Sequence, residues 1–361
     1  KSYTQTIVYR YSLPLICSLF AILSLMMLQS IYPSGVLSQL FAFLVGAGVY
    51  VFAFSIPFSI WKGLSVPLFV LVCVALIVTL VLGKTTKGST RWVSFGSAQF
   101  QPSQLAKPLL ALYLCVLLWQ KKKSKKLARI AIATLPIFLV FAQPDLGTTL
   151  VLISAFTLSL YFSQIQLKIL FGLTTLGLCI GAISWSLVLR DYQKQRILSF
   201  LSPTEDVLGR DYHTNQSIIA IGSGKIVGRG LGHGTESSLR FLPERQTDFM
   251  FASYAEELGL VGIVLLLFLY MLLFAVLLWM SMKIVDPVGK GFTLTMIGTL
   301  FIQTGMNIGM NLGLLPITGI TLPLISLGGS SIISIFFTFG LIASAYRANP
   351  RRHLVEIRSF V

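Results

Sequence analysis

The stretch Leu64-Ser65-Val66-Pro67-Leu68-Phe69-Val70-Leu71-Val72-Cys73-Val74-Ala75-Leu76-Ile77-Val78-Thr79-Leu80-Val81-Leu82 contains no charged side chain. It is as long as a helix must be to cross the hydrocarbon core of a bilayer, about 20 residues. The stretch 261–282 repeats the pattern. Of 361 residues, 55% are hydrophobic and only 11% charged, with a mean hydropathy of +0.82. Soluble domains are about a quarter charged, so most of this apolar surface must face lipid or other helices. The chain reads as an all-α integral membrane protein. About ten transmembrane helices are expected, near 7–31, 37–60, 64–83, 105–120, 129–143, 146–163, 167–189, 250–282, 290–312 and 329–346. It forms a single polytopic membrane domain over 1–361, with a large external loop, about 190–249, between the seventh and eighth spans. The chain opens on Lys1 rather than Met, which suggests a missing short leader. The segment 7–31 is too long for a signal peptide and lacks its cleavage pattern.

A net charge of +16 raises the question of nucleic acid, but its placement argues for topology. The run Lys121-Lys122-Lys123-Ser124-Lys125-Lys126 lies between two apolar segments, as a cytoplasmic loop does under the positive-inside rule. Arg10, Lys62, Arg129, Lys168, Lys283, Lys290, Arg347, Arg351, Arg352 and Arg358 fall on the same side. The opposite short loops carry fewer cations: Lys84, Lys87, Arg91 and nearby Lys107. Both termini are therefore expected in the cytoplasm. Cys17, Cys73, Cys115 and Cys179 sit in apolar segments without disulfide or zinc spacing. His213, His233 and His353 show no paired metal spacing either.

Acidic residues are concentrated. Nine of the twelve fall between Asp191 and Glu257, and Asp145 is the only one before them. Ion-moving transporters place ionisable groups at mid-membrane depth. Here the span interiors are nearly charge-free, so the chemistry is expected at the external surface.

Five constellations stand out there. Leu242-Pro243-Glu244-Arg245-Gln246-Thr247-Asp248-Phe249 runs into the eighth span. Thr247 or Asp248 suits a helix N-cap, and Asp248 equally suits an electrostatic anchor or a cation ligand, and suits a general base less well unless partial burial offsets the helix N-terminus and Arg245. The glycine series 222–232 carries Lys225 and Arg229. It suits either a flexible loop or an anion cradle, and it lacks the Gly-Lys-Ser/Thr ending of a phosphate-binding P-loop. Arg91-Trp92 precedes Gln101-Pro102-Ser103-Gln104, with Lys107 at the start of an apolar helix, where it snorkels or meets an anionic headgroup. Gln143-Pro144-Asp145 forms a turn whose aspartate caps the next helix. Finally, residues 311–331, with Asn311, Ser326 and Ser330, interrupt an apolar stretch with prolines and glycines. Irregular backbone near a membrane persists only when buried or lining a cavity.

In this order the motifs resemble those of the SEDS family (shape, elongation, division and sporulation). The matching pieces are Arg91-Trp92, Gln101-Pro102-Ser103 with Lys107, Gln143-Pro144-Asp145-Leu146-Gly147-Thr148, Tyr192-Gln193 with Gln195-Arg196, and Ala220-Ile221-Gly222-Ser223-Gly224. They continue with Leu242-Pro243-Glu244 and Thr247-Asp248-Phe249, then Glu256-Glu257-Leu258-Gly259, and end with residues 311–331. Arg245 after Pro243-Glu244 looks more like the elongation branch than the division branch.

The resemblance implies a ten-helix peptidoglycan glycosyltransferase of the bacterial cytoplasmic membrane. It would polymerise lipid II, the undecaprenyl-diphosphate-linked disaccharide peptide, on the outer face. Implied partners are a class B penicillin-binding protein and the elongation machinery, with no nucleic acid. Asp248 matches the family's essential aspartate, acting as base or through a divalent cation (Mg or Mn), with no organic cofactor. Arg91, Lys107, Arg196, Lys225 and Arg229 are candidates for the diphosphate. Glu244, Thr247, Gln104, Asp145, Asn311, Ser326 and Ser330 would support them. Gln104 departs from the glutamate usual in the family, which leaves Lys107 without that anionic partner. A lipid II flippase is the competing class, and it would need polar groups running through the membrane interior.

Overall fold

A computed structural model describes residues 2–86, 89–95, 98–119, 126–163, 212–238, 241–242 and 244–348, with isolated positions at 165, 172 and 175. The expected span at 167–189, Arg196 and the Tyr192–Arg196 motif, and most of the lysine cluster lie outside the described residues.

The helices are α1 (Ser2–Ile31), α2 (Val36–Ser55), α3 (Phe58–Gly63), α4 (Ser65–Leu82), α5 (Pro102–Trp119), α6 (Lys126–Ile132), α7 (Leu135–Ala142), α8 (Leu146–Phe162), α9 (Tyr212–Ser223), α10 (Thr235–Ser238), α11 (Met250–Lys283), α12 (Pro287–Asn311) and α13 (Gly329–Arg347). The expected spans within the described residues fall on these helices, with three differences of detail. The second span ends early because Pro57 holds Ile56 in an extended conformation. The span expected at 129–143 is two short helices, parted at Ala133-Thr134 with Pro136 in the first turn of α7. Helix α5 starts at Pro102, three residues before the expected 105, because proline suits a first helical position that needs no N–H.

Burial separates central from peripheral helices. Of the apolar windows, 83% of Pro102–Trp119 and of Gly329–Arg347 is buried, against 33% of Ser65–Leu82 and 28% of Pro33–Ser55. Helices α5, α8, α12 and α13 therefore form the centre. Helices α1, α2, α4 and α11 turn Leu15, Ile22, Phe41, Leu44, Val70, Leu71, Val261 and Phe268 outward, as lipid-facing helices do. Helix α13 packs closely along α2. At Gly340 a Cβ would come within 2.8 Å of the Tyr50 carbonyl oxygen. Small residues permit such backbone approach in membranes.

The interior is nearly free of charge, as expected, but not of polarity. Thr295, Thr299, Gln303, Asn307 and Asn311 follow one another at intervals of four on α12, and all are buried. That spacing puts them on one face.

Two features of the loop-rich end were not anticipated. A small antiparallel sheet stands where a plain loop was expected: β1 (Lys84–Thr86), β2 (Ser89–Phe95) and β3 (Ala98–Phe100), in the order β1-β2-β3. Helix α11 is broken at Gly259, with φ 63° and ψ −161°. In an unbroken helix the Leu260 and Val261 N–H groups would reach the Glu256 and Glu257 carbonyls. Here they donate to the carbonyls of Lys225 (2.9 Å) and Ile226 (3.0 Å). The stranded Glu256 and Glu257 carbonyls accept from the N–H groups of Arg229 and Gly230, each at 3.0 Å. The loop between α9 and α10 is thus spliced into the helix, and all four backbone groups stay paired.

Candidate active site

A cavity of about 400 Å³ opens at the loop-rich end of the bundle. Its wall brings together residues far apart in the chain: Arg91 from β2, Gln101, Gln104 and Lys107 at the start of α5, Asp145 and Thr148 at the start of α8, Glu244, Thr247 and Asp248 before α11, Gln303 on α12, residues 318–321, and Leu327, Gly328, Ser330 and Ser331.

Asp145 accepts a bond from the Thr148 N–H (3.0 Å), capping α8 as expected. It does more than cap. Its Oδ2 accepts from Thr148 Oγ1 (2.9 Å) and Gln101 Nε2 (3.1 Å), and pairs with Arg91 Nη1 at 3.4 Å. Asp145 is nearly inaccessible, so it anchors Arg91 against the α5–α8 seam.

Lys107 does not snorkel. It is 5% exposed, and its ammonium donates to Gln303 Oε1 at 3.0 Å. Among the described residues it forms no ion pair. Gln104 is turned away from it, donating through Nε2 to Gln101 Oε1 at 3.1 Å. A buried ammonium with a neutral partner keeps most of its appetite for an anion. Arg91 Nε, Gln104 Oε1 and Ser331 Oγ, all from residues of the wall, are buried without a hydrogen-bond partner among the described residues. Buried polar groups normally find partners. This wall is therefore built for a polar, anionic ligand.

Asp248 belongs to the same wall, and its two sequence readings can be separated. The N-cap of α11 is Phe249, with no side-chain cap bond. The orphan Ala252 N–H is taken instead by Asn311 Oδ1 at 3.1 Å, from another helix. Asn311 Nδ2 then donates to the Asp248 carbonyl (3.1 Å), which also accepts from Asn307 Nδ2 (3.0 Å). The capping task is done from α12, and the Asp248 carboxylate lies on the cavity wall. Gly319, at φ +71°, is close enough that a Cβ there would sit 3.5 Å from Asp248 Oδ2. The turn before it is tight. Glu244 has φ 52°, and its carbonyl accepts from the N–H groups of Thr247, Asp248 and Phe249. Ser326 Oγ donates to the Thr247 carbonyl at 2.6 Å, and the Leu327 N–H to Gln246 at 2.8 Å.

Of the expected site residues, Asp248, Arg91, Lys107, Glu244, Thr247, Gln104, Asp145 and Ser330 line one cavity. Ser326 and Asn311 stand behind it and hold backbone. Lys225 and Arg229 are not in the wall; they belong to the loop spliced into α11. Gln101, Gln303 and Asn307 were missed, although the spacing of four between Gln303, Asn307 and Asn311 was a readable signal. Among the described residues no three His, Cys, Asp or Glu side chains gather as a metal cage. Magnesium-like cations take one or two carboxylates and complete their shell with substrate phosphates. Glu244 and Asp248 fit that limited role.

Known proteins resemble this chain in sequence and in structure. The profile of the cell cycle protein family of FtsW, RodA and SpoVE matches residues 4–350. The peptidoglycan glycosyltransferase MrdB of Escherichia coli (strain K12) is 38% identical over 306 residues, spanning 84% of this chain and 83% of its own. A probable peptidoglycan glycosyltransferase FtsW of Wigglesworthia glossinidia brevipalpis is 36% identical, over 74% and 72%. A solved chain described under the structural coordination of polymerization and crosslinking by a peptidoglycan synthase complex superposes with a TM-score of 0.78. It is 31% identical and covers 93% of this chain and 97% of its own. The rod shape determining protein RodA of Thermus thermophilus superposes with a TM-score of 0.71 at 27% identity, over 94% and 97%. The chain is a multi-pass membrane protein and belongs to the cell cycle protein family of FtsW, RodA and SpoVE, the SEDS family that its motifs resemble.

Proposed function

We propose that this chain polymerises lipid II into glycan strands at the outer face of the bacterial cytoplasmic membrane, in the elongation branch of its family. The enzyme class, a peptidoglycan glycosyltransferase, follows from the family and from relatives that carry that name over most of their length. The observation that carries the mechanism is one cavity holding the Asp248 carboxylate and the buried Lys107 ammonium, with Arg91 at its wall.

The reaction joins a sugar hydroxyl of one substrate to the anomeric carbon of another. The new bond is hydroxyl oxygen to anomeric carbon; the bond broken is anomeric carbon to diphosphate oxygen. The hydroxyl proton passes to Asp248, and the polyprenyl diphosphate leaves with its electron pair. Lys107, with Arg91 beside it, faces the negative charge that builds on the departing diphosphate, where fixed cations act most strongly. A single displacement inverts the anomeric centre. A divalent cation held by Asp248 and Glu244 would add further positive charge at the phosphates when bound.

The polyprenyl tails would lie along the lipid-facing helices. Both termini would be cytoplasmic, and a class B penicillin-binding protein would supply the crosslinking activity. The peptidoglycan synthase complex that contains a structural relative supports that partner class. The deciding experiment is polymerisation of lipid II by purified protein, with and without Mg or Mn, comparing wild type with Asp248→Asn and Asp248→Ala. Wild-type rates in both variants would refute the assignment. Supplying lipid II on one side only separates polymerase from flippase.

A further inference from the structure

We infer that Gln303 and Asn307, with Asn311, are positioning residues that fix the Asp248 carboxylate and the Lys107 ammonium relative to each other. The inference rests on the proposed polymerase reading and adds residues that the sequence did not single out.

The three amides lie at intervals of four on α12, so their side chains stack along one face of a single helix. Gln303 accepts from Lys107 Nζ (3.0 Å) and donates through Nε2 to the Thr321 carbonyl (3.1 Å). Asn307 donates through Nδ2 to the carbonyls of Ile320 (2.7 Å) and Asp248 (3.0 Å). Asn311 donates to the Asp248 carbonyl (3.1 Å) and the Asn307 carbonyl (2.8 Å), and accepts from the Ala252 N–H (3.1 Å). None of the three is more than 2% exposed.

The segments held in this way have little regular structure of their own. Residues 312–328 lack a regular helix, and Asp248 lies in the turn before α11. Helix α12 is the continuous rigid element behind both. Spacing between the cation, carried by α5, and the carboxylate is therefore set by α12 and its three amides rather than by the turn that carries Asp248. Such a rail matters where proton transfer and leaving-group stabilisation must occur together, since small misplacement costs rate rather than binding.

The test uses the full chain and lipid II. Asn307→Ala should lower kcat about 100-fold while leaving KM within a few-fold, because the cations that hold the diphosphate remain. Asn307→Ser, which keeps a short donor, should recover part of the loss. In an Asp248→Asn background under single-turnover conditions, adding Asn307→Ala should cost nothing further, since Asn307 acts through Asp248. Gln303→Leu should be silent in the same way in a Lys107→Met background. A wild-type kcat for Asn307→Ala, or losses that multiply in the double variants, would overturn the rail. If Asn307→Ala does not purify as a folded protein, Asn307→Ser carries the same test at smaller amplitude. An inactive wild type or a fully active Asp248→Asn would instead overturn the site assignment, and the rail with it.

Discussion

Asp248 and Lys107 come from different helical neighbourhoods and meet in the wall of one cavity. Their roles differ, and so should their variants. Asp248→Asn removes the proposed proton acceptor, so kcat should fall by at least about 100-fold. Lys107→Met removes a buried cation, so kcat/KM for lipid II should fall about 10- to 100-fold, the worth of a charged hydrogen bond. Steady-state kinetics on both variants check this. The identity of Asp248 was readable from its sequence, an acid at the mouth of a long apolar helix. That Phe249 takes the N-cap position was not, because the Ala252 N–H is satisfied by Asn311, from another helix. For Lys107 the reverse holds. Its place in an apolar helix suggested snorkelling, whereas the structure buries it with its ammonium on the Gln303 amide across the helix interface.

At the scale of elements, hydropathy located most helices but could not locate the break in α11. Glycine within an apolar run is compatible with a continuous helix, and nothing in the sequence around Gly259 records that residues 225–230 arrive to complete its hydrogen bonds. The glycine series that suggested an anion cradle has a backbone explanation here. Gly228 has φ +86°, and a Cβ there would come within 2.1 Å of the Glu257 carbonyl oxygen. Gly228→Ala should therefore destabilise the protein by about 2–4 kcal/mol, combining positive-φ strain with forced displacement. Gly48→Ala makes the contrast, since a Cβ there meets nothing within 4 Å. It should leave stability unchanged or slightly raised. Thermal unfolding of the detergent-solubilised variants reads both.

For the whole molecule, the cavity and the β1–β3 sheet occupy one end, and the Lys62–Asp286 ion pair (3.1 Å) and the contact of Arg347 with the Ser55 carbonyl lie at the other. In the proposed topology the second end faces the cytoplasm. In a cysteine-free background, Thr86→Cys should react with a membrane-impermeant maleimide on intact spheroplasts, and Lys62→Cys only after permeabilisation. The opposite pattern would invert the topology. The polar face of α12 has a further consequence for biogenesis. Alone among the long described helices, α12 contains no window apolar enough to mark it as a spanning segment, while α11 before it is the most apolar, with a mean hydropathy of 3.1. The buried amides and threonines of this face thus make α12 a poor client of the translocon by itself. It should insert poorly as an isolated segment in a glycosylation-mapping assay and efficiently as a hairpin with α11. The residues that align the chemistry would then also oblige the chain to enter the bilayer in pairs.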